Sequence, residues 1–434
     1  MERWLDNMWF LTQESFDIKS LLPLVVLLSI CAIIPIVLSI LRAKFIPVFV
    51  LEIVSGIILA NVPGIREIFL TEGEMSSFMQ GLYVVGLSVL LFLSGLDVDY
   101  TVLKRKKEKG SLAINRLTNI LLLLVIVLSI GASFLFQKYI EKENILGISL
   151  LILVFSSTFA SVVIPEVHDE GLSHTTIGKI INNYATKAEF ISIIGLSVLM
   201  ISIGMTKEQK PWLLLILVVS LILVYIFTRY FHFRIFTKIT DGVVHFGLRL
   251  TVALLLGLII LCSASGVEYI LGAFLAGAVI KFAKVSDAAI HKVETVGYGI
   301  FVPIFYILVG FKVGLVSPFS EFFMWENMKL VLMLFIVLII VKVPFMYLCR
   351  WFPFSTSLQT MIFMACTLIV GITAEEFHIF NASFCSALIV ASCLTCIIPP
   401  ILFDITKRFG YSKKENDDRI INPNQESKIE FKTK

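Results

Sequence analysis

Charged side chains are scarce in this sequence, and their scarcity excludes most soluble folds. Lys, Arg, Asp and Glu make up 16% of the 434 residues, whereas a soluble domain carries about 25%. Hydrophobic residues reach 58% and the mean hydropathy is +0.93. Runs of about 20 apolar residues recur along the chain, and such runs are typical of helices that cross a membrane. The sequence therefore predicts an all-α polytopic membrane protein.

Other absences narrow the function. The sequence has no P-loop and its six His residues are scattered, so neither ATP use nor a resident metal is indicated, and we expect no cofactor and no enzymatic activity. The basic residues lie beside the apolar runs and not in a separate domain, which argues against nucleic-acid binding. Cys393 and Cys396 form a CxxC inside an apolar run, where we interpret them as small packing residues.

Hydropathy predicts about thirteen transmembrane helices. Residues 1–19 would form an extracytoplasmic segment, 20–403 the transmembrane domain, and 404–434 a short cytoplasmic tail. The tail is polar, and we expect it to be disordered. In chain order, the predicted helices 1 to 13 cover residues 20–41, 46–62, 78–98, 112–136, 145–165, 176–203, 211–228, 243–263, 266–283, 296–316, 327–349, 357–375 and 381–403.

The connections between these helices alternate in charge. One set is basic and includes KRKKEK (104–109), RYFHFRIFTK (229–238) and the tail, whereas the other set is acidic or mixed, as in SEFFMWEN and AEEF. Basic connections face the cytoplasm in membrane proteins. The alternation therefore predicts an outside N-terminus and a cytoplasmic C-terminus in a multi-pass protein of the cell (plasma) membrane.

Predicted helices 2 and 3 resemble predicted helices 9 and 10. The first pair reads LEIVSGIILANVPG and LLFLSGLDVD, and the second reads EYILGAFLAGAVIK and PIFYILVGFKVG. The offset of seven helices makes the two copies cross the membrane in opposite directions. Inverted-topology repeats of this kind are typical of secondary transporters. The alternative is that small-residue patterns arise in any tightly packed bundle.

The same offset pairs predicted helix 5 with predicted helix 12. Both contain polar interruptions, FSSTFAS (155–161) and ACTLIVGITAEE (365–376). Unwound backbone within a membrane is tolerated only where it is buried or lines a wet cavity. We therefore expect two crossed discontinuous helices whose ends surround a small ion.

Glu189 lies within NNYATKAEFISII (182–194), near the middle of predicted helix 6. It is about 13 residues from either end, or roughly 20 Å, which is too deep for its side chain to reach water. A charged group at this depth costs about 2.5–3.5 kcal/mol on insertion scales. A sheltered carboxyl group holds either a proton or a cation but rarely both, and that competition is an exchange mechanism. The alternative is a glutamate that only holds helices together.

Lys187 lies two residues before Glu189 and points about 200° around the helix from it. We expect it to face a different acid, with Glu52 and Glu375 as candidates, or to line a water-filled path. Asn183 could line the path as well, although hydrogen bonding between helices is the alternative.

Several of these segments together resemble the monovalent cation:proton antiporters, in the branch that holds Kef-type potassium efflux systems and Nap-type sodium/proton exchangers. The resemblance covers residues 20–403 and implies a homodimer of thirteen-helix subunits that exchange Na⁺ or K⁺ for protons by moving a core domain. The segments that carry it are IPVFVLEIVSGIILANVPG, LLFLSGLDVD, SSTFASVVIPEVHDEGL, LGAFLAGAVI and PIFYILVGFKVGL.

The resemblance also implies roles for particular residues. The second member of an acidic pair on helix 6 falls on Glu189, the first member falls on Ala188, and a deep lysine of helix 11 falls on Lys342. The ion-binding set would be Glu189, Ser157 and Thr158, with Lys342 and Lys187 as charge partners and with Asn183 and Glu52 as secondary candidates.

Two departures from the family leave other functions open. The acidic pair is reduced to one carboxyl group, because Ala188 is apolar, and the Kef-type regulatory domain is not present in the sequence. The first alternative is a transport-inactive sensor on the same fold. The second is a channel-like K⁺ efflux module that is gated by a separate soluble regulatory subunit.

Overall fold

The computed structural model describes residues 21–41, 47–71, 73–97, 109–140, 144–169, 172, 175–205, 269–282, 287–316, 325–350, 354–365, 367 and 379–410, with isolated positions between 249 and 260. This part of the chain is almost entirely helical. Its α-helices are α1 (Leu22–Leu41), α2 (Val48–Asn61), α3 (Ile65–Phe69), α4 (Ser77–Asp97), α5 (Lys109–Leu135), α6 (Asn144–Ser156), α7 (Ala160–Asp169), α8 (Thr176–Met205), α9 (Tyr269–Phe282), α10 (Asp287–Val296), α11 (Val302–Val316), α12 (Trp325–Ile340), α13 (Phe354–Phe363) and α14 (Ala382–Gly410).

Apolar composition and exposure both fit a bilayer. Five helical segments in the described residues are long and apolar enough to span a membrane: Leu22–Ile40, Ser77–Leu96, Ile114–Leu135, Ile290–Val316 and Trp325–Cys349. On α1, Ile33, Ile36 and Ile40 are more than half exposed. Exposed isoleucines on a helix of this length are expected where the surrounding solvent is lipid.

The two predicted repeat pairs contact each other reciprocally: the first helix of each pair packs against the second helix of the other pair. α2 lies along α11, and α4 lies along α9. Both contacts depend on glycine: a Cβ on Gly56 would overlap the carbonyl oxygen of Ile307, and one on Gly277 would overlap that of Phe92. The backbones therefore touch, as they do in small-residue helix packing in membranes. A two-fold relation between the predicted pairs 2–3 and 9–10 would produce this reciprocal arrangement.

A short hairpin separates α3 from α4. β1 (Leu70–Thr71) and β2 (Glu74–Met75) pair antiparallel, and Gly73 has φ 89° in the turn between them. That left-handed backbone favours glycine. The sequence prediction had only a loop in this position.

Three boundaries differ from those predicted from hydropathy. Predicted helix 10 was to begin at residue 296, but the helical segment begins at Asp287 and passes through a π-helical turn, Gly297–Phe301, before α11. Predicted helix 11 is α-helical only to Ile340 and continues as a 3₁₀ segment, Val343–Arg350. The last helix continues to Gly410, so residues 404–410 are helical. Hydropathy reports apolar length and not hydrogen-bond register, which is why it missed these changes.

Several predictions lie outside the described residues. They are the N-terminal segment 1–19, predicted helix 7, all but isolated positions of predicted helix 8, residues 368–376 of the second polar interruption, and the tail after residue 410.

Candidate functional site at a broken helix

Predicted helix 5 is broken where the sequence is polar. α6 ends at Ser156, α7 begins at Ala160, and residues 157–159 have no regular structure. Ser157 and Thr158 are buried. A helix end leaves backbone carbonyl or N–H groups without intrahelical partners. The break therefore puts a carbonyl-rich end and an N–H-rich end next to each other inside the protein.

Lys342 occupies the carbonyl end of the break. Its Nζ donates to the carbonyl oxygens of Ser156 at 3.0 Å and Ser157 at 2.7 Å, and to Thr158 Oγ1 at 3.3 Å. The side chain is 0% exposed. A cation is favourable at a helix C-terminus because the peptide dipoles are negative there. The deep lysine predicted on helix 11 thus points into the break in predicted helix 5.

Glu189 occupies the N–H end of the break. Its Oε2 accepts a hydrogen bond from the Ala160 backbone N–H at 3.2 Å, and its Oε1 accepts one from Ser94 Oγ at 3.2 Å. The residue is 8% exposed. Ala160 is the first residue of α7, where the helix dipole is positive and favours an anion. The carboxyl group is therefore held at a helix N-terminus by groups from two other elements.

The hydroxyl groups of the break are bonded to backbone. Ser157 Oγ donates to the carbonyl oxygen of Val154 at 2.8 Å, and Thr158 Oγ1 donates to that of Met364 at 3.1 Å. Met364 follows the end of α13, so the break in predicted helix 5 contacts the point where predicted helix 12 stops being α-helical. A cation that used these oxygens would have to compete with contacts already made.

Lys187 and Asn183 belong to a second polar cluster, between α8 and α5. Lys187 Nζ donates to Asn115 Oδ1, to Thr118 Oγ1 at 3.0 Å and to Asn119 Oδ1 at 2.7 Å. Asn183 Nδ2 donates to the same Thr118 hydroxyl at 3.2 Å. Among the described residues, these partners are neutral oxygens and no acid is one of them. Of the two acids that the sequence suggested for Lys187, Glu52 is not among these partners, and Glu375 lies outside the described residues.

Glu52 is buried on α2, with an exposed fraction of 3%. One turn before it, the ring of Phe49 contacts Phe159 in the break, with centroids 5.9 Å apart, and Tyr306 on α11, with centroids 5.3 Å apart. The turn of α2 that carries Glu52 therefore packs against the break through the ring of Phe49.

Sequence reasoning missed the partners of these charged residues. Ser94 lies in LLFLSGLDVD, which was read as a repeat motif and as part of the family resemblance but not as a source of site residues, and Ala160 has an ordinary apolar side chain. The partners of Lys187 did carry a signal, because Asn115, Thr118 and Asn119 follow the i, i+3, i+4 spacing of one helix face. Within the described part of the chain, no three His, Cys, Asp or Glu side chains are grouped so as to hold a resident metal ion.

Comparisons with known proteins agree on one family. The model of the transmembrane sodium/hydrogen exchanger family matches residues 25–406. The putative Na⁺/H⁺ antiporter YjbQ of Bacillus subtilis is 29% identical over 422 residues, covering 94% of this chain and 66% of its own length. The Na⁺/H⁺ antiporter of Enterococcus hirae is 22% identical over 329 residues, covering 73% of this chain and 82% of its own. This chain therefore spans slightly less than two thirds of the length of the Bacillus relative.

A solved structure has the same fold. The sodium proton antiporter MjNhaP1 of Methanocaldococcus jannaschii, determined at pH 8, aligns with a TM-score of 0.51 and 16% sequence identity. The alignment covers 88% of this chain and 98% of that one. This similarity supports the predicted class of helical membrane fold.

Proposed function

Because the chain belongs to the sodium/hydrogen exchanger family, we propose that it exchanges Na⁺ or K⁺ for protons across the membrane and that both ions compete for Glu189. The observation that carries the proposal is the position of this carboxyl group. It is 8% exposed and accepts hydrogen bonds from the first N–H of α7 and from Ser94. These contacts stabilise a carboxylate, so the group can lose its proton inside the membrane.

The chemistry of one exchange cycle follows from these contacts. When Glu189 is deprotonated, its two oxygens and the Ser94 hydroxyl oxygen offer hard ligands that suit a dehydrated alkali cation. When a proton returns, the neutral carboxyl group no longer attracts the cation. Ser157 and Thr158 would contribute only if a cation displaced their present hydrogen bonds. Glu52 is a secondary candidate for a proton site, because it is buried on α2 one turn after Phe49, whose ring contacts Phe159 in the break.

The rest of the transport architecture is proposed on the same basis. Thirteen helices, inverted repeats and crossed breaks in helices 5 and 12 are supported by the reciprocal packing of α2–α11 and α4–α9 and by the contact between Thr158 and Met364. We also propose a homodimer in the plasma membrane, with the N-terminus outside. Labelling of terminal tags from the outside of intact cells tests that orientation.

Glu189→Gln in proteoliposomes that contain a pH-sensitive dye tests the exchange. In wild-type vesicles, added Na⁺ or K⁺ should move protons, and the variant should lose this signal because an amide cannot release a proton. Glu326→Gln is the matched control, since Glu326 is an exposed acid on α12. It should exchange as the wild type does.

Other outcomes would favour the alternatives. A wild-type protein that moves no protons with either cation between pH 6 and about pH 9 would be a sensor. Cation flux that continues without proton coupling would indicate a channel-like K⁺ efflux module, for which a separate soluble regulatory subunit would then be sought. Exchange that persists in Glu189→Gln would place the ion site elsewhere.

A further inference from the structure

Lys187 carries a charge in the membrane that the exchange reaction does not use. It lies on α8 two residues before Glu189, and its described contacts are all with neutral side chains of α5. These contacts alone do not require a charge at position 187, because a glutamine side chain could also donate hydrogen bonds to neutral oxygens on α5. The charge therefore calls for a separate explanation.

The α5 contacts match the charged form of this lysine. An ammonium group has three N–H donors and no acceptor. The structure gives it three oxygen acceptors, on Asn115, Thr118 and Asn119. Thr118 is itself oriented, because its hydroxyl donates to the carbonyl oxygen of Asn115 at 3.0 Å. The cluster thus offers every donor of the ammonium a partner, without an acid that would neutralise it.

The position of Lys187 on α8 brings its charge close enough to Glu189 to affect ion binding there. Two residues of separation place Lys187 and Glu189 at nearly the same depth and on opposite faces of α8, with side-chain tips roughly 10–15 Å apart. At this separation and an effective dielectric constant of about 20, one unit charge changes the affinity of the other site for a cation about tenfold. The protein between them excludes water, so salt screens the interaction little.

We infer that Lys187 is a built-in positive charge that weakens the binding of both protons and alkali cations at Glu189, and so moves the working range of the exchanger to lower pH. This inference rests on the proposed role of Glu189. Other charged or titratable groups lie near the break as well: Lys342 at its carbonyl end, and Tyr306 and Glu52 on the two packed helices α11 and α2. Arg116 on α5, Lys179 on α8 and Lys281 on α9 are exposed. Among these groups, Lys187 is the one positive charge that lies both on the helix that carries Glu189 and at the depth of Glu189.

Neutral substitutions of Lys187 test the inference by the pH profile of exchange. In Lys187→Met and Lys187→Gln, the pH of half-maximal Na⁺-dependent proton movement should rise by about one unit, because protons would hold Glu189 more tightly. Well above that pH, the Na⁺ concentration for half-maximal exchange should fall about tenfold. Lys187→Arg keeps the charge and should retain the wild-type profile.

The glutamine variant separates charge from helix contact. Glutamine can still bond the α5 oxygens, so a purely structural lysine predicts that Lys187→Gln behaves as the wild type while Lys187→Met is impaired; that result would overturn the inference. So would an unchanged or lower pH midpoint in both neutral variants, or the loss of both from the membrane. Lys179→Gln, at an exposed lysine of the same helix, should leave the profile unchanged.

The failure of the inference and of the proposed function can be told apart. If Glu189→Gln abolishes exchange but neutral substitutions of Lys187 leave the pH midpoint in place, only the role of Lys187 is wrong. If Glu189→Gln still exchanges, the proposed ion site is wrong and the inference fails with it.

Discussion

At the scale of single residues, the broken helix explains why two charged side chains lie where hydropathy would exclude them. Lys342 and Glu189 each bind backbone at one end of the break, so each charge meets a helix dipole of the opposite sign. Their burial is therefore offset locally, by carbonyl and N–H groups that the break itself exposes. A sequence with only one of the two charges would leave one helix end without a partner.

Loss of the Lys342 ammonium should destabilise the protein as well as stop transport. Lys342→Met would leave the buried carbonyl oxygens of Ser156 and Ser157 without this donor, and an unsatisfied buried polar group costs about 1–3 kcal/mol. We expect a lower apparent melting temperature in detergent and little or no exchange in proteoliposomes.

Lys329→Met provides the comparison for this variant, because Lys329 is a half-exposed lysine on α12, the helix that ends just before Lys342, and it pairs with Glu326. It should match the wild type in both measurements. A Lys342→Met protein with wild-type stability would mean that the break does not depend on this lysine.

At the scale of helices, the sequence predicted where the chain is interrupted better than what fills the interruption. FSSTFAS combines small and hydroxyl residues in an apolar run, and residues 157–159 do leave the helix. Glu189 was likewise expected to be sheltered, and it is. That Lys342 caps one end, and that Ser94 and Ala160 hold Glu189, depends on segments distant in sequence, which no local pattern encodes. The change of α12 into a 3₁₀ segment at Lys342 carried no hydropathy signal either.

The close packing of α2 against α11 makes a specific prediction about glycine. Replacing Gly by Ala within a helix normally stabilises it by about 0.5–1 kcal/mol. A Cβ on Gly56 would overlap the backbone of Ile307, whereas a Cβ on Gly81 of α4 would meet nothing within 4 Å. We therefore expect Gly56→Ala to lower the thermal stability in detergent and Gly81→Ala to preserve or raise it. Equal stability of the two variants would show that α2 and α11 are not in backbone contact.

At the scale of the whole molecule, the net charge that moves through the membrane follows from which groups change their charge. In the proposed cycle, Glu189 carries either a cation or a proton, and the site is neutral in both cases. Ala188 stands where the family resemblance implies the other member of an acidic pair, so that position adds no second carboxyl group. Lys342 and Lys187 each have three oxygen acceptors, which suit an ammonium group, so in the proposed cycle neither lysine needs to release a proton.

One cation should therefore exchange for one proton, without net movement of charge. In proteoliposomes whose membrane potential is clamped with K⁺ and valinomycin, the rate of Na⁺/H⁺ exchange should be the same at zero potential and at about −100 mV, where one moved charge would be worth about 2.3 kcal/mol. The measurement also reports on the lysines: if either ammonium released its proton during the cycle, a second proton would move per cation. Exchange would then depend on the potential; removal of that dependence by Lys187→Gln would assign the proton to Lys187, and its persistence in that variant would assign it to Lys342.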